Sequence, residues 1–377
     1  MRRCVAWMGM MLGVLAGVPG VQAQALPPVD PSGTVRQDHV MAYDRSTPPG
    51  DIVLFPRRTL LGYSEDLGRR YGAIHLTCRS ASDSAQGRCP MSADDANGAG
   101  ETRIPLRFVE RRSGTRTDVM VTGSLQRAYT SRRCFGDLWN DVDRPLSTTF
   151  SSLCLSDPAA GTGVWLRIAA SELAMLVAGH WDAELTLDLR VDGNGAALAT
   201  YVFGLELTIT DHDAVAIYFP AFEGITPHLG LNLRYDPISQ QVGGHALLDM
   251  CLYDGLGSQA EYLAVTVRDS GPRPPDGTGY SAWHQDGGSA PAQRLDYTVF
   301  LEYAGARLAM ANNVEQQLRG IDSTQLRAVV LPGMSQMVFC VPAPLTLETP
   351  PVSISSKRAG YYRGDLQVEL RVPASRP

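Results

Sequence analysis

The sequence predicts an all-β protein built as two sandwich domains, and three features carry that prediction. Apolar residues recur with a period of two along at least five runs, as strands with one buried face require. The chain is punctuated by 37 glycines and 25 prolines, which suits short strands and tight turns. Its 377 residues exceed what one compact core holds, at roughly 100–200 residues per domain. With 44% apolar and 19% charged residues the chain is ordinary for a soluble globular protein, which excludes disorder and a polytopic membrane protein. A formal charge of -6 offers no general attraction to nucleic acid, and no nucleic-acid partner is expected.

Residues 1–25 read as a secretory signal peptide. Arg2 and Arg3 form a basic start, Val5 to Val18 is apolar but short for a membrane span, and Pro19-Gly20 breaks the helix. Val21-Gln22-Ala23 and Ala23-Gln24-Ala25 both place small residues for cleavage, and Cys4, ahead of the apolar stretch, argues against a lipoprotein anchor. Export leaves six cysteines in the mature chain: Cys78, Cys89, Cys134, Cys154, Cys251 and Cys340. An even number in an exported chain favours disulfides over metal ligands or catalytic thiols. Fifteen pairings are possible, of which the joining of sequence neighbours is the simplest. Under a chain-entropy model a short loop contributes about 3 kcal/mol and a long one about 4–5 kcal/mol.

The strand runs follow in order. Ala183, Leu185, Leu187 and Leu189 alternate with polar residues, as do Leu205, Leu207 and Ile209. So do Leu263, Val265 and Val267, then Tyr297, Val299, Leu301 and Tyr303, then Leu366, Val368, Leu370 and Val372. Ala169–Val177 and Val314–Leu318 are expected to be short helices. Asp211-His212-Asp213 interrupts the pattern and is expected to be a solvated linker dividing the mature chain into 26–211 and 212–377. Ser270–Gly279 and Gly287–Pro291 are expected to be surface loops.

Motifs for catalysis or metal binding are missing: there is no HExxH, CxxC, GxSxG or Walker loop. Asp192-Gly193-Asn194-Gly195 is expected to be a hairpin turn, not a calcium loop, because Arg190 stands where an earlier carboxylate is needed and no Glu closes the loop. His212 is read as part of the linker, not as a metal ligand. No catalytic residue, metal or cofactor is expected. Eight arginines between Arg103 and Arg133 face only Glu101, Glu110 and Asp118. Solvated strand faces account for them; the sharper alternative is a surface for an anionic glycan. Nearby Tyr129, Phe135 and Trp139 suit a β core better than sugar contacts.

The succession Leu248-Asp249-Met250-Cys251-Leu252-Tyr253-Asp254-Gly255, then Val338-Phe339-Cys340-Val341-Pro342, then Ala359-Gly360-Tyr361-Tyr362-Arg363-Gly364-Asp365-Leu366 resembles the pilin domain of the CblD-like pilus-tip adhesins. Cys78 and Cys89 with Pro90, Leu106-Arg107-Phe108 before Glu110-Arg111-Arg112-Ser113, and Gly179-His180-Trp181-Asp182-Ala183 are similar to the family's adhesin domain. The resemblance implies two tandem immunoglobulin-like β-sandwiches: a receptor-binding domain, then an incomplete pilin fold completed by a donor strand. It implies the neighbour disulfides, a periplasmic pilus chaperone, an outer-membrane usher, a major pilin as strand donor, and a glycan or glycolipid receptor. It further implies export through the periplasm to the fimbrial tip and a role in initiating the pilus.

Strand addition combines backbone hydrogen bonds with alternating apolar side chains, so Leu366, Val368, Leu370 and Val372 are the expected groove edge. Pro373 to Pro377 are too few and too proline-rich to supply another strand, and Leu26-Pro27-Pro28-Val29-Asp30-Pro31 would make a poor donor. A subunit that accepts but does not donate belongs at the tip. The family's colonisation-factor member places receptor arginines upstream of the first cysteine and after the strand that follows the tryptophan. Ala73, Val191 and Asp192 occupy those positions here. Arg69, Arg70 and Arg190 lie nearby in sequence and are the candidate receptor contacts. The rival readings are a secreted β-sandwich carbohydrate-active enzyme, which needs paired carboxylates in a cleft, and a non-adhesive structural pilin.

Overall fold

The computed structural model describes residues 25–191, 193, 195–257, 260–271, 279–321, 325–334 and 336–373. The signal segment through residue 24, Asp192 and Asn194 of the expected turn, most of the 270–279 loop and residues 374–377 lie outside them. Nine strands, β1 (Gly33–Asp44), β2 (Ile52–Tyr63), β3 (His75–Cys78), β4 (Thr102–Glu110), β5 (Arg116–Ala128), β6 (Trp139–Arg144), β7 (Gly161–Ile168), β8 (Gly179–Arg190) and β9 (Ala199–Thr210), share one sheet. Its order is β1-β9-β8-β4-β5-β7-β2, with β3 beside β8 and β6 beside β5. β1 runs parallel to β9 over its whole length.

Alternation becomes burial: Leu185, Leu187 and Leu189 of β8 and Leu205, Leu207 and Ile209 of β9 are all buried. Phe55 of β2 meets Phe203 of β9 edge to face, 5.1 Å between ring centres, although these strands lie near opposite ends of the sheet order. The sheet is therefore folded over on itself, its inner faces forming a sandwich core.

The second domain follows with β10 (Ala216–Tyr218), β11 (Arg234–Asp236), β12 (Gln241–Leu248), β13 (Cys251–Tyr253), β14 (Tyr262–Asp269), β15 (Tyr280–His284), β16 (Arg294–Tyr303), β17 (Ala306–Met310), β18 (Glu315–Arg319), β19 (Arg327–Val330), β20 (Met337–Pro342), β21 (Leu345–Ser353), β22 (Tyr362–Arg363) and β23 (Leu366–Arg371). They pair as β10-β13-β20-β19, as β11-β12-β21-β16-β15-β22 with β17 on β16, and as β18-β14-β23. Leu263, Val265 and Val267 of β14 pack with Tyr297, Val299 and Leu301 of β16 and Leu345 of β21 in one core. Disulfides join Cys78 to Cys89, Cys134 to Cys154 and Cys251 to Cys340, with Cα separations of 5.2, 5.6 and 5.7 Å.

Two expected helices differ. Residues 314–318 do not form a helix: Glu315–Arg319 is strand β18, because pairing with β14 buries Leu318 opposite Leu263. Only Ala170–Leu173 of the other stretch is helical, closed within one turn by backbone bonds from Met175 and Leu176. The polar triplet also departs from a solvated linker. Asp211 is buried, bonded through its carboxylate to Arg45 at 2.8 Å and through its N–H to the Gly255 carbonyl at 2.6 Å. His212 begins a 3₁₀ turn, His212–Ala214, and remains exposed.

Arg127 is the largest polar side chain in the first core and is 0% exposed. It donates to the carbonyls of Ile74 (2.7 Å), Thr148 (2.6 Å) and Phe150 (3.0 Å) and to the Thr162 hydroxyl (2.6 Å). These bonds tie β7 to the turn before β3 and to the loop after β6. Burial, with Arg144 adding to it, pulls its pKa down to about 9, which leaves it charged at neutral pH. Arg127→Ala strands those acceptors in the core, and we expect it to lower unfolding free energy by about 3 kcal/mol or more in urea denaturation. A loss below about 1 kcal/mol contradicts this role.

Asp44 ends β1 and accepts from the Ser46 N–H and hydroxyl, the Thr210 hydroxyl and the His212 N–H. Burial alone would raise its pKa, but the hydrogen bonds outweigh burial and hold the carboxyl far below its ordinary range. A depressed carboxylate adds stability above its unfolded pKa of about 3.9, and that stability fades as the pH falls below it. Asp44→Asn is therefore expected to destabilise at pH 7, with the gap to wild type narrowing at about pH 3 in paired denaturation curves.

Candidate strand-acceptor edge and receptor face

In the second domain β23 hydrogen-bonds to β14, with Val265 opposite Leu370, Val267 opposite Val368 and Asp269 opposite Leu366. Among the described residues no strand pairs with its other edge. Across this pair the burial changes abruptly. Leu263, Val265 and Val267 are fully buried, whereas Leu366, Val368 and Leu370 are only half-buried against the same core. Val372, expected in the same strand, lies one residue past its end and is also half-buried. Half-covered apolar residues from elsewhere in the domain, among them Phe222, Leu229 and Leu231, pack on that core too.

An unpaired edge beside a half-covered apolar row is the geometry that accepts an added strand. The paired side is pinned in place. Arg371 donates to both oxygens of Glu315 on β18, at 2.9 and 2.6 Å, and holds that carboxyl below its usual pKa.

The Met-Cys-Leu-Tyr-Asp-Gly run has a structural use. Met250, Cys251, Leu252 and Tyr253 are buried, and Cys251 bonds across β13 and β20 to Cys340. Asp254, also buried, accepts the N–H groups of Leu256 and Ala260 and so shapes the following turn. Gly255 has φ +67°, a conformation that favours glycine, and a Cβ there would strike the Asp211 backbone.

The candidate receptor arginines have separate partners. Arg69 ends a 3₁₀ turn, Leu67–Arg69, capped by the Asp66 side chain, and reaches Asp30 at 2.6 Å and the Tyr71 hydroxyl at 3.3 Å. Arg70 is exposed, at φ +57° between two 3₁₀ turns. Arg190 sits on β8 in register with His75 of β3 and donates to Thr77, to Asp188 and to the Gly195 carbonyl. Burial lowers the His75 pKa, with Arg127 and Arg190 acting in the same direction. These bonds occupy part of the Arg190 fork, and the side chain is partly exposed.

Three arginines of the arginine-rich stretch pair with acids from other parts of the chain. Arg103 faces Glu172, Arg107 bonds Asp83, and Arg111 bonds both Asp182 and Glu206. Arg112 donates to the Ile321 carbonyl, and Arg127 is internal. Tyr129 and Trp139 are buried and Phe135 is half-buried.

Two family models match the chain in succession: the first domain of the CFA/I fimbrial protein CfaE over residues 21–212, and the second domain of CfaE over residues 215–374. The corresponding CFA/I fimbrial protein of Escherichia coli is 28% identical over 307 residues, covering 79% of this chain and 80% of that one. The fold is similar to that of CfaE, the adhesive subunit of CFA/I fimbria of enterotoxigenic E. coli, with TM-score 0.69, 24% identity, and 93% and 95% of the two chains covered. It is also similar to a chain in the chaperone-tip adhesin complex of CFA/I fimbriae biogenesis, with TM-score 0.66, 24% identity, and 93% and 99% covered. With both of its domains matched in order, the chain belongs to the CfaE family of fimbrial tip adhesins.

Proposed function

We propose that this protein is the minor tip subunit of a chaperone–usher pilus, acting as an adhesin and as the initiator of assembly by donor-strand complementation. In this reading residues 1–25 direct export, 26–211 bind a glycan or glycolipid receptor, and 212–377 form the pilin domain. Its partners are a periplasmic chaperone, an outer-membrane usher and the major pilin, and its destination is the fimbrial tip at the cell surface. The observation that carries the reading is β23, with one edge unpaired among the described residues and an apolar row left half-covered. Support comes from the related proteins, described as a fimbrial subunit, an adhesive subunit and a chaperone-tip adhesin complex. No enzymatic step is part of the proposal. Arg69 and Arg70 are the leading receptor contacts of the candidate set, with Arg190 behind them until its internal partners are exchanged.

The test is to express the full chain alone, with its chaperone, and with a peptide from the major pilin. Only the latter two are expected to give a soluble second domain that unfolds cooperatively. A chain equally stable without either overturns the strand-acceptor reading. Val368→Asp puts an unpaired carboxylate into the apolar row and is expected to weaken donor-peptide binding by about 2 kcal/mol or more, measured by calorimetry. For adhesion, Arg69→Ala with Arg70→Ala is expected to reduce attachment while pilus number stays unchanged. A fall in pilus number instead favours a purely structural subunit.

A further inference from the structure

We propose that the outer face of β2, β6 and β7 around Trp165 is a binding site for a neutral saccharide, built from none of Arg69, Arg70 or Arg190. The proposal rests on the adhesin reading and adds to it a ligand class and a place. β2 pairs Phe55 with Leu166 and Thr59 with Val164, so Pro56, Arg57 and Arg58 all stand opposite the single residue Trp165. This bulge holds Arg58 at φ +65°, a costly conformation for a residue with a side chain. Such strain persists only where the surroundings enforce it, and here they are specific. The guanidinium groups of Arg57 and Arg167 lie 5.4 and 4.8 Å from the Trp165 ring centre, and that of Arg58 lies 5.5 Å from Trp139. Trp139 rests on Gly163, where a Cβ would come within 2.7 Å of the indole, so glycine lets the ring seat on the sheet.

Beneath the bulge Asp143 accepts from Ser124 Oγ, Gln126 Nε2 and Arg57 Nη2, each at 3.0 Å. Ser124 and Gln126 are 1% and 3% exposed, so two buried side chains fix this carboxylate from below. Arg58 donates to Gln126 Oε1 and Asp137 Oδ2, both at 3.1 Å, and to Asp141, whose side chain is 78% exposed. Arg167 uses Nη1 for Asp51, while its buried Nε has no acceptor.

The chemistry of the face selects the ligand. Arg57, Arg58 and Arg167 are matched against Asp51, Asp137, Asp141 and Asp143, so there is no positive surplus to hold a sialic acid or a sulfate. Fixed carboxylates accept from sugar hydroxyls, arginine donates to them, and a half-buried tryptophan packs against the C–H face of a pyranose. Protection of an edge strand explains a proline and a charge at a bulge. It does not explain a part-exposed Trp165 between two guanidinium groups over a buried polar floor.

The deciding experiment presents the full chain, stabilised by its chaperone or a donor peptide, to an array of neutral, sialylated and sulfated oligosaccharides. Wild type is expected to bind neutral members, and Trp165→Ala and Arg167→Ala each to reduce that binding about tenfold or more. Trp165→Phe, which keeps a ring, is expected to lose much less, and Arg36→Ala, which removes an exposed pair with Asp38 on β1, to leave this class of binding unchanged. Should Trp165→Ala misfold, Arg167→Ala and Trp165→Phe decide. Neutral binding that survives Trp165→Ala and Arg167→Ala, or binding confined to anionic glycans, overturns the proposal and leaves the adhesin reading standing. No glycan bound by wild type overturns both.

Discussion

Leu366, Val368 and Leu370 on β23 face the core of the second domain, yet they are half-buried where their partners on β14 are fully buried. Apolar area left in water is a standing cost, on the order of 25 cal/mol per Å². Along the same strand, N–H and C=O groups with no partner strand among the described residues form a template for another chain. One segment with alternating apolar residues removes both liabilities at once. In the proposed function the same groups that would accept a strand leave the domain aggregation-prone when unpartnered, which is the physical case for a chaperone.

The two domains are joined by more than a linker. Asp44, Arg45, Asp211 and Gly255 form a connected set of hydrogen bonds where β1 and β9 end and the second domain begins. Tyr253, Cys251, Val338 and Cys340 pack into the same continuous core as β8 and β9. The signature run around Cys251 is therefore architecture: its side chains are buried, its aspartate shapes a turn, and its glycine gives room to the crossing backbone. Packing accounts for the whole run, and the chemistry of recognition has to be sought elsewhere.

Arginine illustrates how little local charge says about a surface. The stretch from Arg103 to Arg133 is strongly basic when counted along the chain, but the fold brings Asp83, Glu172, Asp182 and Glu206 against Arg103, Arg107 and Arg111. Exposed pairs of this kind add little stability. Their effect is to offset the charge of Arg103, Arg107 and Arg111. The face around Trp165 has the opposite history: its members, from Asp51 to Arg167, are scattered over more than a hundred residues and meet only because β2, β5, β6 and β7 are neighbours.

Periodicity made much of the architecture legible in advance. The runs ending at Leu189, Ile209, Val267 and Tyr303 became strands with their apolar faces buried, because a two-residue repeat admits one orientation on a half-buried sheet, and the run ending at Val372 did so up to Leu370, half-buried, with Val372 just past the strand. The motifs around Cys251 and Trp181 were likewise enough to place the family. Tertiary structure decided the rest, wherever a residue's state depends on a partner distant in sequence. Glu315–Arg319 is a strand because β14, some fifty residues earlier, is there to pair with it. Asp211 is buried because Arg45 and Gly255 converge on it, and Arg190 is engaged by Asp188 and Gly195. Local pattern reports which face of a strand avoids water; only the folded chain determines which strands, and therefore which side chains, stand next to one another.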